Sequence, residues 1–523
     1  MKIIDTSKIV TPLDMHALSN NEREWMYNGL DCCVTLEIFY ALEKELDSTT
    51  RVIYDRSLSL RAPILDMQMR GIRVDLNKRD KVIVDIVREM EALEERYRRI
   101  LTDGIGCQYL AWGSDTQVRS LMYGVLQLRP IRKRNDRGGF SPTVNADALE
   151  RLSINFYAAP LCAYILKLRE LRKKLSFLRT GIDPDGRMRS TFNIAGTNTG
   201  RLASSESDFL TGTNLQNVDR ALRSIFIPDP GKKFINVDLE QGDSRNLAAF
   251  CWEVFYEQEG ASFAGSYLDA CESADLHTTV CRMAWSDLDW PEDVGDVKAS
   301  RKVAEQLFYR QDSYRQMAKK LGHGTNYLGT PHTMAMHTKM PVAIIEDFQK
   351  RYFGAFECIP AFHDWTQTQL EEYSQITTLH GRRRFFFGRT HDPKNNREAM
   401  ETLRFAVAFA GQSMTADAVN KAMIQIWKDG SDDIELLNQV HDSLLFQVPE
   451  EACVERVGEI LELGKAPLVL TGGRDFVVPN EAKIGFNWGD EDEKDNPLGL
   501  MKFNPSTPDL RKNEYRPRSV HDM

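Results

Sequence analysis

The sequence predicts an α+β protein built from more than one subdomain, and three observations lead there. Two apolar runs of strand character each carry an aspartate: Phe234-Ile235-Asn236-Val237-Asp238-Leu239 and Asn438-Gln439-Val440-His441-Asp442-Ser443-Leu444-Leu445-Phe446. Apolar residues recur at helical spacing at Val82, Ile83, Ile86, Val87, Met90 and Leu93, with Glu and Arg between them, which is the mark of an amphipathic helix. A chain of 523 residues exceeds a single common core.

In chain order, residues 1–50 form a short stub in which Tyr27 and Asp31, four apart, belong to a helix that packs on the rest. Residues 51–110 read as long helices, with Met67, Met69, Ile72 and Val74 around Gly71. Asn135 to Pro142, holding Gly138-Gly139, is a loop. A basic helix follows at Leu166 to Lys174, and Arg315 and Lys319 share one face of a later helix. From Glu491 to Met523 the chain carries Pro497, Pro505, Pro508 and Pro517 with few apolar side chains. A disordered or peripheral tail is expected there.

Composition excludes several classes. No run approaches the 18 or more apolar residues of a membrane span, and Met-Lys-Ile-Ile-Asp-Thr lacks a signal core, so an intracellular protein is expected. Nine cysteines without Cys-x-x-Cys spacing argue for reduced thiols and against a zinc site or disulfide framework. The net charge of -9, from 67 Lys+Arg against 76 Asp+Glu, speaks against a nucleic-acid partner, but averages hide patches. Lys167 to Arg189 holds eight basic residues and three acids, Arg301 to Lys320 six and two, and Arg382-Arg383-Arg384 with Arg389 adds four. Such patches either line a groove for a phosphate backbone or are solvated helix faces.

Asp238 and Asp442 carry the chemistry. An unpaired carboxylate in an apolar strand is expensive, so each either bonds backbone groups at a strand end or binds a cation. If the two strands are neighbours, the carboxylates can share two Mg2+ ions in the arrangement that clamps attacking and leaving oxygens in phosphoryl transfer.

Five segments in series favour the second reading. They are Thr197-Asn198-Thr199-Gly200-Arg201-Leu202-Ala203, Asn214-Leu215-Gln216-Asn217, the Asp238 strand, Arg315-Gln316-Met317-Ala318-Lys319 leading to Gly324 and Tyr327, and His441-Asp442. In order and approximate spacing the series resembles the DNA polymerase I family (family A polymerases), from about residue 55 to Trp488. The resemblance implies a right-hand polymerase: a helical thumb (51–190), an antiparallel-sheet palm (191–272 and 404–490) and helical fingers (273–403), after a stub (1–50) and before the tail (491–523). It places Asp238 and Asp442 on adjacent palm strands, followed by an edge strand at Asp475 to Ile484. It implies template-directed extension of a primer 3′-OH with dNTPs, releasing pyrophosphate, with two Mg2+ ions (Mn2+ as substitute) on Asp238, Asp442 and the Leu239 carbonyl.

The same resemblance implies nucleotide contacts from His277, Arg315, Lys319, His323, Gln241 and Asp243. It implies contacts to primer-template DNA from Arg201, Asn214, Gln216, Tyr327, Arg404, Gln412, His441, Lys173 and Lys174. Tyr27 and Asp31 look like the last motif of a proofreading 3′-5′ exonuclease domain. With 26 residues before Tyr27 the rest of that site has no place, so no proofreading is expected in this polypeptide, and a separate exonuclease or processivity subunit is left open as a partner.

Several positions depart from the family pattern. Asp243 stands where a Glu usually guards against ribonucleotides, His323 where a Phe or Tyr is usual, and Leu328 is inserted between Tyr327 and Gly329. Gly242 replaces a bulky apolar residue, and Ser443 replaces the Glu that follows the second Asp. These point to a divergent, phage-like branch, acting in the host cytoplasm if viral, and leave preference for a modified nucleotide open. Two competing functions are a single-subunit RNA polymerase, against which the Thr-x-Thr-Gly-Arg and Asn-Leu-Gln-Asn segments count, and a non-catalytic DNA-binding relative.

Overall fold

A five-stranded antiparallel sheet organises the molecule. The structure is a computed structural model that describes residues 19–134, 138–207, 211–273 and 275–506. The sheet strands are β1 (Lys232–Leu239), β2 (Glu435–Val440), β3 (Ser443–Pro449), β4 (Asn480–Gly485) and β5 (Met501–Lys502), in the spatial order β2-β3-β1-β4-β5. β1 is central: Ile235, Val237 and Leu239 are buried on one face and Phe234 on the other. Its register sets Asp238 opposite Ser443 on β3 and opposite Glu481 on β4.

Helices cover the sheet. In chain order they include α1 (Asn20–Glu43), α2 (Ser48–Ser59), α3 (Leu76–Arg99), α4 (Ala159–Leu178), α5 (Gly242–Glu259), α6 (Leu276–Ala284), α7 (Tyr314–Asn326) and α8 (Arg397–Asp429). α3 packs on α4, α8 packs on α5, and α6 packs on α7. Starts follow capping chemistry. Asp275 accepts hydrogen bonds from the His277 and Thr278 N–H groups at α6, and Ser313 and Gln316 form a reciprocal capping box at α7. Three apolar cores result. One lies under the sheet and α5–α8, and one joins Ile72, Met188, Phe226 and Trp488. A third lies between Tyr97 and Leu168.

Five expectations are corrected. Ile72–Val74 is a strand rather than helix, because Gly71 at φ 63° ends the preceding helix, and it pairs with Arg187–Met188 and Phe226–Ile227. Phe140–Pro142 is a strand paired with Arg132–Arg134, not loop. The run from Asp475 to Ile484 divides: Arg474–Phe476 pairs with Leu468–Leu470 in a separate hairpin, and only Asn480–Gly485 joins the sheet, where β5 takes the edge. Residues 491–502, expected in the tail, fold back as β5 and bury Leu500 in the core with Trp488; 507–523 lie outside the described residues. Tyr27 and Asp31 do share a helix, but α1 buries none of its residues, so it does not pack as expected.

Candidate active site

Two sharp turns bring the aspartates together. Asp238 is the penultimate residue of β1, and Asp442 lies in the two-residue turn between β2 and β3 rather than within a strand. The Leu239 N–H donates to the Asp442 carbonyl at 3.2 Å, tying the turn to the strand end. His441 (φ 55°) and Gln241 (φ 55°) both take the left-handed conformation beside these carboxylates, which is uncommon for non-glycine residues. A chain of amides supports the turn: Gln216 Nε2 donates to Gln439 Oε1 (2.7 Å), and Gln439 Nε2 donates to the His441 carbonyl (2.5 Å). Asn214 accepts from Ser204 Oγ (2.6 Å) and from the Gln216 N–H (3.0 Å).

A cavity of about 240 Å³ holds both aspartates, with Gln241, Asp243, His277, Lys319 and His323 in its lining. It joins a larger cleft of about 760 Å³ that shares Asp238, Leu239, Gln241, His277, Lys319 and Asp442 and adds Arg315, His441, Arg223 and Lys483. Carboxylates at the end of the sheet therefore share a cleft with the Arg315 and Lys319 cations of α7. Burial, then the Asp442 and Glu481 carboxylates, push Asp238 up to about 7. Burial and Asp243 push Asp442 up as well. Burial and the Arg315 and Lys319 cations hold His277 down at about 4, so its imidazole is neutral at pH 7. Among the described residues Lys319 makes no ion pair, whereas Arg315 donates to both oxygens of Asp275 at 2.8 and 3.0 Å. Burial raises the Asp275 carboxyl, and the Arg315 and Thr278 hydrogen bonds outweigh that and hold it below its usual value.

Three of the positions that depart from the family pattern, Gly242, Asp243 and His323, line the smaller cavity. Asp243 accepts from Arg201 Nη2 at 3.2 Å, and the His323 and Tyr327 rings meet edge to face at 4.8 Å between centroids. Burial holds His323 below its usual value, and burial with Asp243 raises the Tyr327 hydroxyl. Gly242 has a packing reason: a Cβ there would lie 3.0 Å from Thr415 Cγ2 on α8 and 3.4 Å from Leu239 Cβ.

The other expected residues are less gathered. Arg404 and Gln412 lie on α8 away from the two cavities, with Arg404 Nε buried and unpartnered. The basic runs are largely spent within the protein. Lys174 pairs with Glu170 (2.7 Å) and Asp219 (3.6 Å), Arg169 with Asp115 (2.8 Å), and Arg187 and Arg189 with nearby aspartates. Lys173 is exposed and has no ion pair among the described residues. Glu481 and Lys483 were missed by sequence reading; both line the larger cleft. Their alternate spacing on one strand marks a shared face, but only strand register sets Glu481 beside Asp238.

The described residues hold no group of three or more His, Cys, Asp or Glu side chains arranged for a metal. Two carboxylates in one cavity still fit a hard divalent cation that takes its remaining oxygens from substrate phosphate and water, which is how Mg2+ is usually bound beside phosphates. No described helix is long and apolar enough to cross a membrane.

Sheet, carboxylate pair and opposed cations define an α+β chain equipped to handle a phosphorylated substrate. A family model described as DNA polymerase family A matches residues 80–285 and 286–490. The chain belongs to that family, and membership implies divalent-metal dependence. It is 26% identical over 489 residues to the thermostable DNA polymerase I of Thermus aquaticus, covering 88% of this chain and 51% of the relative. It is 26% identical over 490 residues to DNA polymerase I of Deinococcus radiodurans, covering 90% and 45%. It thus spans about half the length of these relatives. Among solved structures, the POL domain of Pol1 from M. smegmatis, in complex with DNA primer-template and dNTP, superposes with a TM-score of 0.63 at 22% identity, covering 82% of this chain and 70% of that one. That likeness speaks for the fold.

Proposed function

We propose that the chain is a template-directed DNA polymerase that extends a primer 3′-OH with dNTPs and releases pyrophosphate. The observation that carries it is the pairing, in one cavity, of Asp238 and Asp442 with the opposed Lys319, Arg315 and His277. In this reading the sheet with α5 and α8 is the palm (191–272 and 404–490), residues 273–403 are the fingers, and 51–190 the thumb.

Asp238, Asp442 and the Leu239 carbonyl would hold two Mg2+ ions, with Mn2+ as substitute. When bound, the ions lower the pKa of the primer 3′-OH and neutralise the departing pyrophosphate. Lys319, without an ion pair among the described residues, takes a triphosphate oxygen as a point charge. Arg315 presents a guanidinium already oriented by Asp275, so little side-chain entropy is lost when phosphate arrives. His277, neutral, donates a hydrogen bond without adding charge. Asp243, fixed by Arg201, supports the sugar of the incoming nucleotide, with His323, Gln241 and Tyr327 alongside. Arg201, Asn214, Gln216, His441, Arg404 and Gln412 face primer and template, and Lys173 meets duplex phosphates; Lys174, already paired, does not.

The test is extension of a labelled primer on a DNA template with Mg2+, offering dNTPs or rNTPs, for wild type and Asp442→Asn. Extension by wild type alone and with dNTPs is expected. Extension with rNTPs alone would favour an RNA polymerase, and DNA binding without synthesis a non-catalytic role.

A further inference from the structure

A second charged cluster lies behind the Gly200 turn, outside the site described above. Gly200 (φ 81°) packs so closely on Arg382 that a Cβ there would fall 2.5 Å from the guanidinium carbon, and Asn420 Nδ2 donates to the Gly200 carbonyl at 3.1 Å. Beneath the turn, the fully buried Asp417 accepts from Arg382 Nε (3.1 Å) and Nη2 (2.7 Å). Arg56 Nη1, from α2, approaches Asp417 Oδ1 at 3.5 Å without a hydrogen bond and is buried with no hydrogen-bond partner. One turn along α8, the Lys421 ammonium donates to His380 Nδ1 at 3.0 Å.

The charges do not balance. Arg56, Arg382 and Lys421 are three cations and Asp417 is one carboxylate, while burial and the nearby Lys421 hold His380 neutral, at about 3. Two positive charges are left over. Burial, and for Lys421 the neighbouring Arg56, lower both Arg56 and Lys421 from their usual values. Keeping surplus charge half-buried without a counter-ion is costly. Both cations line one groove of about 670 Å³, with Ser59 and Gln425, while Glu462 and Lys465 at its wall pair with each other.

We propose that this groove binds a phosphate group through Arg56 and Lys421. A guanidinium and a neighbouring ammonium are the donors that suit phosphate oxygens, and the exposed Ser59, whose hydroxyl donates to the Asp55 carbonyl at 2.9 Å, lines the same groove. The phosphate comes either from the backbone of a nucleic-acid strand or from a free nucleotide or pyrophosphate. The first source rests on the polymerase reading and the second does not.

The experiment compares wild type with Lys421→Gln, which keeps a polar side chain beside His380, and with Ser59→Glu, an exposed position where added negative charge leaves the core intact. Binding of a primer-template with a single-stranded overhang is followed over 50–200 mM salt, and binding of inorganic pyrophosphate alone is followed by calorimetry without Mg2+. If a strand occupies the groove, Lys421→Gln reduces the slope of log K against log salt by about 0.7–0.9, the value of one phosphate contact. Ser59→Glu then weakens binding, and single-nucleotide turnover is unchanged in both. If free phosphate occupies it, wild type binds pyrophosphate, both variants lose that binding, and the DNA slope stays the same. Equal slopes in all three proteins together with pyrophosphate binding that is absent, or unaffected by both substitutions, would overturn the site. DNA that fails to bind wild type while pyrophosphate binding depends on Lys421 would overturn the polymerase reading and leave the site standing.

Discussion

A carboxylate at the end of an apolar strand is costly unless something positive reaches it: Asp238 opens to the cleft, yet partial desolvation with the Asp442 and Glu481 carboxylates raises it to about 7. That cost is what made both aspartates legible in the sequence, since an Asp within an apolar run is conspicuous by residue type alone. Glu481 was not legible, because its place beside Asp238 is a matter of register between β1 and β4. Asp238→Asn or Asp442→Asn should reduce primer extension by at least about 10²–10³, the scale of a group aimed at developing charge, with primer-template still bound in a gel-shift assay. Substantial synthesis by either variant would remove these residues from the mechanism. Asp243 makes a second prediction. Its carboxylate is one methylene shorter than the family's usual Glu and is held by Arg201. Asp243→Ala should raise ribonucleotide use relative to dNTP by about tenfold or more, the range one small contact can supply. An unaltered ratio of kcat/KM for the two sugars would place the guard elsewhere.

At the scale of an element, helix α4 shows what composition reveals and what it hides. In sequence it reads as a basic helix over Leu166 to Lys174 alone, whereas it runs from Ala159 to Leu178 and buries Leu161, Ile165, Leu168, Leu171, Leu175 and Leu178. Its basic residues read as one patch, yet they have separate fates. Arg169 donates to the Val144 carbonyl at 2.8 Å and pairs with Asp115, Arg172 lies 5.2 Å over the Trp112 ring, and Lys174 is clamped by Glu170 and Asp219. Which cations are already engaged depends on acids distant in sequence, such as Asp219, so a local charge count cannot tell. Lys173→Gln should therefore reduce the salt slope of DNA binding by about 0.9, the value of one duplex phosphate contact. Lys174→Gln should leave the slope unchanged while lowering stability, as read by thermal unfolding. Equal slope changes for the two would mean that Lys174 leaves its partners when DNA arrives.

Across the whole molecule, the series of motifs led correctly to the Asp238 strand and to the helix that carries Arg315 and Lys319, because each motif needs its own local geometry. It failed where distant segments meet: β5 and the buried Leu500 came from a stretch that reads as tail by composition, and α1 remains unburied despite its apolar content. The cluster behind Gly200 is of the same kind, joining α2, the Gln375–Thr377/Arg383–Phe385 hairpin and α8 through His380, Lys421, Arg56, Arg382 and Asp417. Its His380 links that junction to pH. Burial first, then Lys421, with Arg56 and Arg382 adding and only Asp417 opposing, depress it from 6.5 to about 3. Between those values the unfolded chain binds a proton that the folded protein refuses, so stability is intact above 6.5 and falls as pH drops toward 3. From pH 7 to pH 4 the loss from this one group is about 3 kcal/mol. His380→Gln, which can still accept the Lys421 hydrogen bond, should remove that share. Urea unfolding at pH 7, 5.5 and 4 should show the variant losing about 3 kcal/mol less than wild type over the interval, with the difference accruing steadily below pH 6.5. Parallel stability curves for the two proteins would show that His380 takes up its proton as readily in the folded protein as in the unfolded chain.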